Sequence, residues 1–275
     1  MKFDSHMHTP LCGHAIGEPI EYVQAAAEKG IERITFTCHT PMGRPEVFRG
    51  EGVRMSESDF ATYEEMVGDA RRLGEDLGVE VCFGIEAEIF PVESYLEEMR
   101  TFLRKTPFDF VLGSLHHQLV GFQDWIEERG LGTDGEIIRA YFEILAAGAE
   151  SGFYNSLAHP DLIRIYGTVE PFGPEAYEEE IKTFLDRVQQ TGVCLEVNTS
   201  GFIKGVFEMH PDPLIVEWAR AREIPLSIGS DAHQPAQVGQ EFDRAYAVLR
   251  AKGYKHLTTF KKRQAEQVPI PVGGE

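Results

Sequence analysis

Apolar residues fall along the chain in two kinds of run. Short runs rich in Val, Ile, Leu and Phe occupy residues 31–37, 79–85, 108–115, 153–158, 193–197 and 225–229, and residues 2–6, with Phe3 as their apolar member, read as a further short strand. Their length and β-branched content predict strands. Between them lie longer stretches whose apolar positions recur at helical spacing. In 18–29 these are Ile20, Val23 and Ala27; in 56–73 they are Phe60, Tyr63, Val67 and Ala70. Ile137, Tyr141, Ile144 and Leu145 mark a helix over 134–148, and Tyr177, Ile181, Phe184 and Val188 one over 174–190. Further helices are expected at 92–104, 213–222 and 236–252. The punctuation agrees with these assignments. Pro19 sits in a first turn, Ser56 and Asp59 have capping-box spacing, Asp134 is placed as an N-cap, and Gly30 and Gly192 are stops.

The unit strand–loop–helix thus recurs seven times. Alternation of this kind implies parallel strands joined by crossover helices. An open sheet spreads its strand ends along a line, whereas a barrel converges them on one mouth, where barrel enzymes keep their chemistry. The distinction matters here, because six of the seven predicted strands end in a His, Glu or Asp. An incomplete barrel of seven βα units, one domain over 1–275, is therefore the expected fold.

The strand ends carry the chemistry. His6 and His8, two apart on a strand, point to one face. Two imidazoles aimed at one point need a partner, since a buried polar ring without one is costly. His14 follows in a Gly-containing turn, and His39 lies just past the second strand. Glu86 and Glu88, just after the third, repeat the same-face spacing, and one such carboxylate can bridge two metals. The fourth ends in His116-His117, of which one is expected to be a ligand because neighbours on a strand face opposite ways. His159 and Asp161 close the fifth, and Asp231 and His233 the seventh. The sixth leads into Asn198-Thr199-Ser200-Gly201, a small polar loop suited to hydrogen-bonding a substrate. His210 and His256 read as ordinary histidines.

The resulting donor set is His6, His8, His14, His39, Glu86, His116, His159, Asp231 and His233, seven imidazoles and two carboxylates. A catalytic zinc takes about three protein ligands. Nine donors are too many for one ion and fit three, or fewer if some bridge. Imidazole and carboxylate without thiolate suit zinc, iron or manganese.

Composition narrows the class. Length and a hydrophobic content of 42% are those of an ordinary globular protein. A net charge of −19 argues against nucleic acid as a partner. No apolar run reaches the length of a membrane span, and the first residues enter a strand directly, so neither a membrane anchor nor a leader peptide is expected. The four cysteines, Cys12, Cys38, Cys82 and Cys194, form no CxxC and read as reduced thiols of a cytoplasmic protein. The tail from 260 to 275, ending in Pro and Gly, is expected to be partly flexible. Oligomeric state is not legible.

The ordered set DSHMHT, CGHA, CHTP, GIEAE, GSLHH, AHPD, EVNTSG and GSDAH resembles the PHP (polymerase and histidinol phosphatase) superfamily, most closely its monofunctional histidinol-phosphate phosphatase branch. The resemblance runs from Asp4 to His233 and implies a distorted seven-stranded barrel. It also implies three divalent metal ions. His6, His8, Glu86 and Asp231 would hold one. Glu86, His116 and His159 would hold the second, and His14, His39 and His233 the third. His117 becomes a candidate phosphate contact, with Asn198 a further substrate contact. Lys204 stands where the family would lead one to expect a basic pair. The phosphate-positioning cation is thus open among Arg164, Lys204 and the loop arginines Arg44, Arg49 and Arg54.

The implied reaction is hydrolysis of a small phosphomonoester, histidinol phosphate, by a metal-bound hydroxide, with Asp231, Glu86 and His233 at the reacting centre. Asp231 or Glu88 would shuttle the proton. Glu88 and Asp161 are candidate partners for the substrate's cationic end. No P-loop appears, nor any signature of a covalent phosphoenzyme. The rivals are a PHP phosphoesterase acting on another small phosphate or a nucleotide, a metal-dependent amidohydrolase, and a module that only sequesters metal.

Overall fold

The computed structural model describes residues 1–41, 54–169 and 172–272. Arg44 and Arg49 lie outside the described residues. Seven strands run in the order of the chain: β1 Phe3–Met7, β2 Arg33–Phe36, β3 Glu80–Glu88, β4 Phe110–Ser114, β5 Ser156–Leu157, β6 Cys194–Asn198 and β7 Leu226–Gly229. Every adjacent pair is parallel. β1 returns to the chain just after β7. The His8 amide donates to the Ala232 carbonyl at 2.9 Å, and the Ala232 amide to the His6 carbonyl at 3.3 Å. Asp4 reinforces the seam by accepting from the amides of Ser230 and Gly239, each at 2.9 Å. The sheet is a nearly closed barrel, as the converging strand ends require. The strands are buried almost throughout, which explains why they read as continuous apolar runs rather than alternating ones.

The helices follow the expected order with shifted ends. Helix α1 spans Pro19–Glu28, and α2 spans Phe60–Leu77 after a single 3-10 turn, Glu57–Asp59. α2 runs about a turn beyond 73 because Gly78, at φ 71°, is the residue able to take the left-handed conformation that stops it. Ser56 and Asp59 do form their capping box. α3 is Glu93–Lys105. α4, Val120–Glu128, has no counterpart in the sequence reading. α5 is Asp134–Glu150, but its cap is Thr133, which accepts from the Glu136 amide while Glu136 reaches back to the Thr133 amide. α6 is Glu178–Gln189 and α7 is Pro213–Ala221. α8, Phe242–Ala251, starts later than 236 because Gly239 and Glu241 adopt φ of 63° and 58°, which no helix continues through.

Two further expectations are corrected, and the tail is described through residue 272. β3 does not stop at 85 but carries Glu86 and Glu88 within it, because β4 pairs with the backbone out to Glu88↔Ser114, and both side chains are buried. β5 is two residues long, because the side chain of Asn155, not a strand partner, takes the Val111 amide and His159 turns away at φ 25°. The tail is ordered over much of its length. β8 His256–Lys261 and β9 Gln264–Pro269 form an antiparallel hairpin around Lys262 and Arg263, both at positive φ, the turn geometry that matches strand twist. Phe260 stacks on Phe110 at 5.2 Å, and Leu257, Val268 and Ile270 join the buried set. Among the described residues no helix is long and apolar enough to cross a membrane.

Candidate metal centre

The C-terminal strand ends surround one carboxylate. Glu86 sits near the end of β3, fully buried. Its Oε2 lies 2.8 Å from His39 Nδ1, 3.5 Å from His6 Nε2 and 3.6 Å from His8 Nε2. Its Oε1 lies 3.2 Å from His159 Nε2 and 3.5 Å from His116 Nε2. Five imidazoles thus converge on one acid, yet neither oxygen has a hydrogen-bond partner of acceptable geometry. A buried ion left this way is expensive. Cations seated between the acid and the ring nitrogens would satisfy both sides at once.

Asp231, just past β7, supplies the second carboxylate. Its Oδ1 is 3.1 Å from His8 Nε2 and 3.5 Å from His6 Nε2, while His6 Nε2 and His8 Nε2 stand 3.1 Å apart. Donor atoms of His6, His8 and Asp231 fall within 4.8 Å of one another, as do those of Glu86, His116 and His159, and those of His8, His39 and Glu86. These residue types at this spacing fit a divalent metal. His14 and His233 also meet, Nε2 to Nε2 at 2.8 Å. His39 does not join them as the third member of their set. Its Nδ1 is turned to Glu86, although its ring remains 5.5 Å from that of His14. Cys12 instead places its sulfur within 4.8 Å of donors on His14 and His233.

The backbone is bent to aim these groups. His159 and Asp231 adopt φ of 25° and 53°, conformations that cost a non-glycine residue roughly 1–3 kcal/mol and persist where surrounding contacts over-determine them. Gly229 leaves the space that His6 needs. A Cβ there would stand 2.3 Å from His6 Cβ and 2.5 Å from Glu196 Oε1.

Glu196 is the residue that the sequence reading missed. It lies in β6, the strand read as having no ligand. It is buried, and its Oε1 takes His6 Nδ1 at 2.7 Å. Its Oε2 accepts from the His159 amide at 2.9 Å and from Asn198 Nδ2 at 3.0 Å. By holding the outer nitrogen it fixes which tautomer of His6 faces the centre. The available signal was a lone charged residue in Cys-Leu-Glu-Val-Asn, a strand buried on both faces. Glu88 does for His116 what Glu196 does for His6. It binds Nδ1 at 2.7 Å and the amide at 2.7 Å, and it is paired with Arg54 at 2.7 Å.

These contacts redistribute several expected roles. Glu88 is fully buried, with its oxygens bonded to His116 and Arg54. Asp161 is likewise committed, to His210 Nδ1 at 2.5 Å and the Asp212 amide at 2.8 Å. His117, in a turn past the end of β4, faces away from the centre and bonds Thr168 Oγ1 at 2.6 Å. Burial pushes its pKa down to about 4. Arg164 ties down the loop before α7 through Asp212, Asp161 and the Met209 carbonyl. Asn198 is buried and bonded to Glu196 and Ser200. None of Glu88, Asp161, His117, Arg164 and Asn198 lines the cavity at the centre. Lys204 does, with Nζ 3.0 Å from Asp231 Oδ2, and so do Arg54 and Ser200. His256 is exposed, on β8.

The cavity measures about 530 Å³. His14, His39, Glu86, His116, His159, Asp231 and His233 line it, along with Tyr166, Leu119, Ile203, Gln118, Gln237 and Gln240. Burial opposes the ionised form of both carboxylates, but the surrounding cations win. Glu86 is held well below the usual carboxylate range by His39, His6 and His116, and Asp231 by Lys204 and His6. His6 answers in the opposite sense. Burial would lower it, but Glu196, Asp231 and Glu86 raise it well above an ordinary imidazole. His8 is raised to about 9, against its own burial, by the Asp231 and Cys12 contacts and by Glu86. A metal entering this nest must displace those protons, so its uptake releases protons and weakens in acid.

A nearly closed parallel barrel with a nest of imidazoles and carboxylates at its C-terminal mouth defines the class of metal-site barrel proteins. The PHP domain family model matches residues 4–200, and the chain belongs to that family. It is 34% identical to the "probable histidinol-phosphatase" of Deinococcus radiodurans over 96% of this chain and 98% of that one. It is 24% identical to the histidinol-phosphatase of Bacillus subtilis over 88% and 97% of the two chains. Among solved structures it superposes on a Lactococcus lactis histidinol phosphate phosphatase, crystallised with zinc, L-histidinol and phosphate, at a TM-score of 0.79. That match covers 96% of this chain and 98% of the other at 20% identity, and it concerns the fold.

Proposed function

We propose that this protein hydrolyses L-histidinol phosphate to L-histidinol and phosphate. The observation that carries the reading is Glu86 with five imidazoles at the floor of an open cavity, beside Lys204, the one lysine that lines it among the described residues. The relatives from Deinococcus and Bacillus, aligned over nearly the whole chain, support the substrate. The centre would hold three divalent ions, zinc, iron or manganese, with His6, His8, His14, His39, Glu86, His116, His159, Asp231 and His233 as ligands. When bound, such ions supply the Lewis acidity that stabilises a transferring phosphoryl group and lowers the pKa of a water.

The chain's own groups do the rest. Lys204 Nζ faces the cavity and places a positive charge where phosphate oxygens must approach. Asp231 turns Oδ1 inward to His8 and Oδ2 outward to Lys204 and Ser200 Oγ, at 3.0 and 3.1 Å. Oδ2 is the atom placed to take a proton as the nucleophile forms. Lys204 is placed to return one toward the leaving oxygen. With a net charge of −19 the molecule repels a phosphate at a distance, and salt relieves this. Close in, three divalent ions outweigh two carboxylates. The cationic, imidazole-bearing end of histidinol phosphate meets Tyr166, Leu119 and Ile203 and the three glutamines, within an acidic molecule.

Two outcomes test this. kcat/KM for histidinol phosphate should exceed that for glycerol phosphate by at least about tenfold, or roughly 1.4 kcal/mol of transition-state binding. A panel of phosphomonoesters, phosphodiesters and amides run on metal-replete protein measures it. Equal turnover of glycerol phosphate or a nucleoside monophosphate removes the substrate assignment. Amide hydrolysis without phosphatase activity removes the reaction class. Metal analysis should give more than two equivalents per chain in protein purified without chelator, with about one lost in His14→Ala. One equivalent in fully loaded protein excludes the three-ion reading.

A further inference from the structure

Behind the His8 ring, on the side away from Asp231, lie two thiols that the proposed hydrolysis does not use. Cys12 belongs to a short turn after β1, and Cys38 lies two residues beyond Phe36, the last residue of β2. Both thiols are free and buried, with 0% exposure each. The two sulfurs and one nitrogen of His8 fall within 4.8 Å of one another. His8 Nε2 is already turned to Asp231 and His6. The other nitrogen, Nδ1, is buried and has no hydrogen-bond partner. The other rings with a held outer nitrogen use oxygen for it. His6 has Glu196, His116 has Glu88, His14 has the Cys12 carbonyl and His233 the Asp231 carbonyl. His8 alone of these five has its outer nitrogen without a hydrogen-bond partner, and it is the ring that lies by both sulfurs.

We propose that His8 Nδ1, Cys12 Sγ and Cys38 Sγ form a separate site for a thiophilic divalent cation, sharing the His8 ring with the centre in the cavity. Around zinc, donors at about 2.0–2.3 Å stand roughly 3.5–4 Å from one another. The three atoms, within 4.8 Å of one another, therefore need to close by no more than about 1.3 Å. Thiolate donors select soft d10 ions, while the imidazole–carboxylate centre suits harder ones, so the two sites differ in preference. Each thiol gives up its proton to solvent as its bond to the metal forms, and so does the His8 ring, which bridges as an imidazolate once Nε2 holds an ion of the cavity, its single negative charge shared between the two ions. Two thiolates and one divalent ion sum to a neutral unit, the charge state a dry location tolerates best. A monovalent ion would leave a net negative charge there, so the site takes a divalent one. Thr9 Oγ1 donates to Cys38 Sγ at 3.2 Å, a bond that strengthens when the sulfur is anionic.

Because His8 also belongs to the proposed hydrolytic centre, filling this site is expected to slow hydrolysis, and that consequence rests on the function proposed above. The binding itself does not, and it is read without substrate. Cadmium(II) added to metal-replete full-length protein should produce thiolate-to-cadmium absorption in the near ultraviolet that saturates at one equivalent. Cys12→Ser and Cys38→Ser should each lose it. Cys82→Ser and Cys194→Ser should keep it, and far-ultraviolet circular dichroism checks that each variant is folded. Absence of the band with excess cadmium overturns the site and leaves the phosphatase reading standing. A band lost in Cys12→Ser but kept in Cys38→Ser overturns it in favour of the set Cys12, His14 and His233. A band that persists in both single variants places the sulfur elsewhere. If the band forms and hydrolysis of histidinol phosphate does not slow, the site stands and its coupling to His8 is removed.

Discussion

Glu86→Gln is expected to lower kcat/KM for histidinol phosphate by about a thousandfold, roughly 4 kcal/mol of transition-state stabilisation. The reason is the number of groups that share this side chain. Five imidazole nitrogens lie between 2.8 and 3.6 Å from its two oxygens. An amide keeps the shape but presents one neutral oxygen and one N–H donor. The nitrogen end would donate into an imidazole lone pair where a cation belongs, and the negative charge that offsets the metals is gone. Metal content should therefore fall in two of the proposed sets together. Metal per chain and kcat/KM, measured on the same preparations, check this. A variant that keeps full metal and more than a tenth of its activity would show that Glu86 is not shared between ions. Glu88→Gln is expected to behave differently. It removes the negative charge that Glu88 pairs with the buried Arg54 at 2.7 Å, so its main cost falls on stability.

Glu196→Ala carries the second large effect, a loss of about 10–100-fold in metal affinity or activity. Glu196 touches none of the proposed reacting atoms. It acts through His6, by holding Nδ1 so that Nε2 faces Glu86 and Asp231, and through the His159 amide. Without it the His6 ring is free to change tautomer and rotate. A chelator-competition measurement of metal affinity, followed by kcat/KM at saturating metal, separates a loss of binding from a loss of orientation. Glu196→Gln should recover part of the deficit, since its carbonyl oxygen can still accept from His6 Nδ1. Affinity and kcat/KM both within twofold of the unaltered protein would leave Glu196 a packing residue only.

Much of this molecule was legible in one dimension because its periodicities are local. The spacing His6-x-His8 places both rings on one face whatever the rest of the chain does. Seven apolar runs separated by amphipathic stretches leave few topologies besides a parallel barrel. Donors at the ends of parallel strands must then meet, since a barrel brings all those ends to one mouth. That His116 and His117 would part company was expected from the alternation of neighbours, but both lie past the end of β4, and the turn and its contacts to Thr168 and Leu162 separate them.

What the one-dimensional reading lacked depends on contacts between residues far apart in the chain. Nothing local marks Glu196 as the partner of a histidine 190 positions away. Glu88 and Asp161 look like available acids until Arg54, His116, His210 and Asp212 are seen to occupy them. Arg164 and Lys204 are equivalent as cations in a sequence, and only packing gives one to a loop and the other to the cavity. The spacing of single strands and helices therefore determined which groups the chain can present at the barrel mouth. The tertiary structure decided which are buried and already bonded, and so which remain for chemistry, because burial and charge pairing are properties of the assembled neighbourhood and not of any one segment.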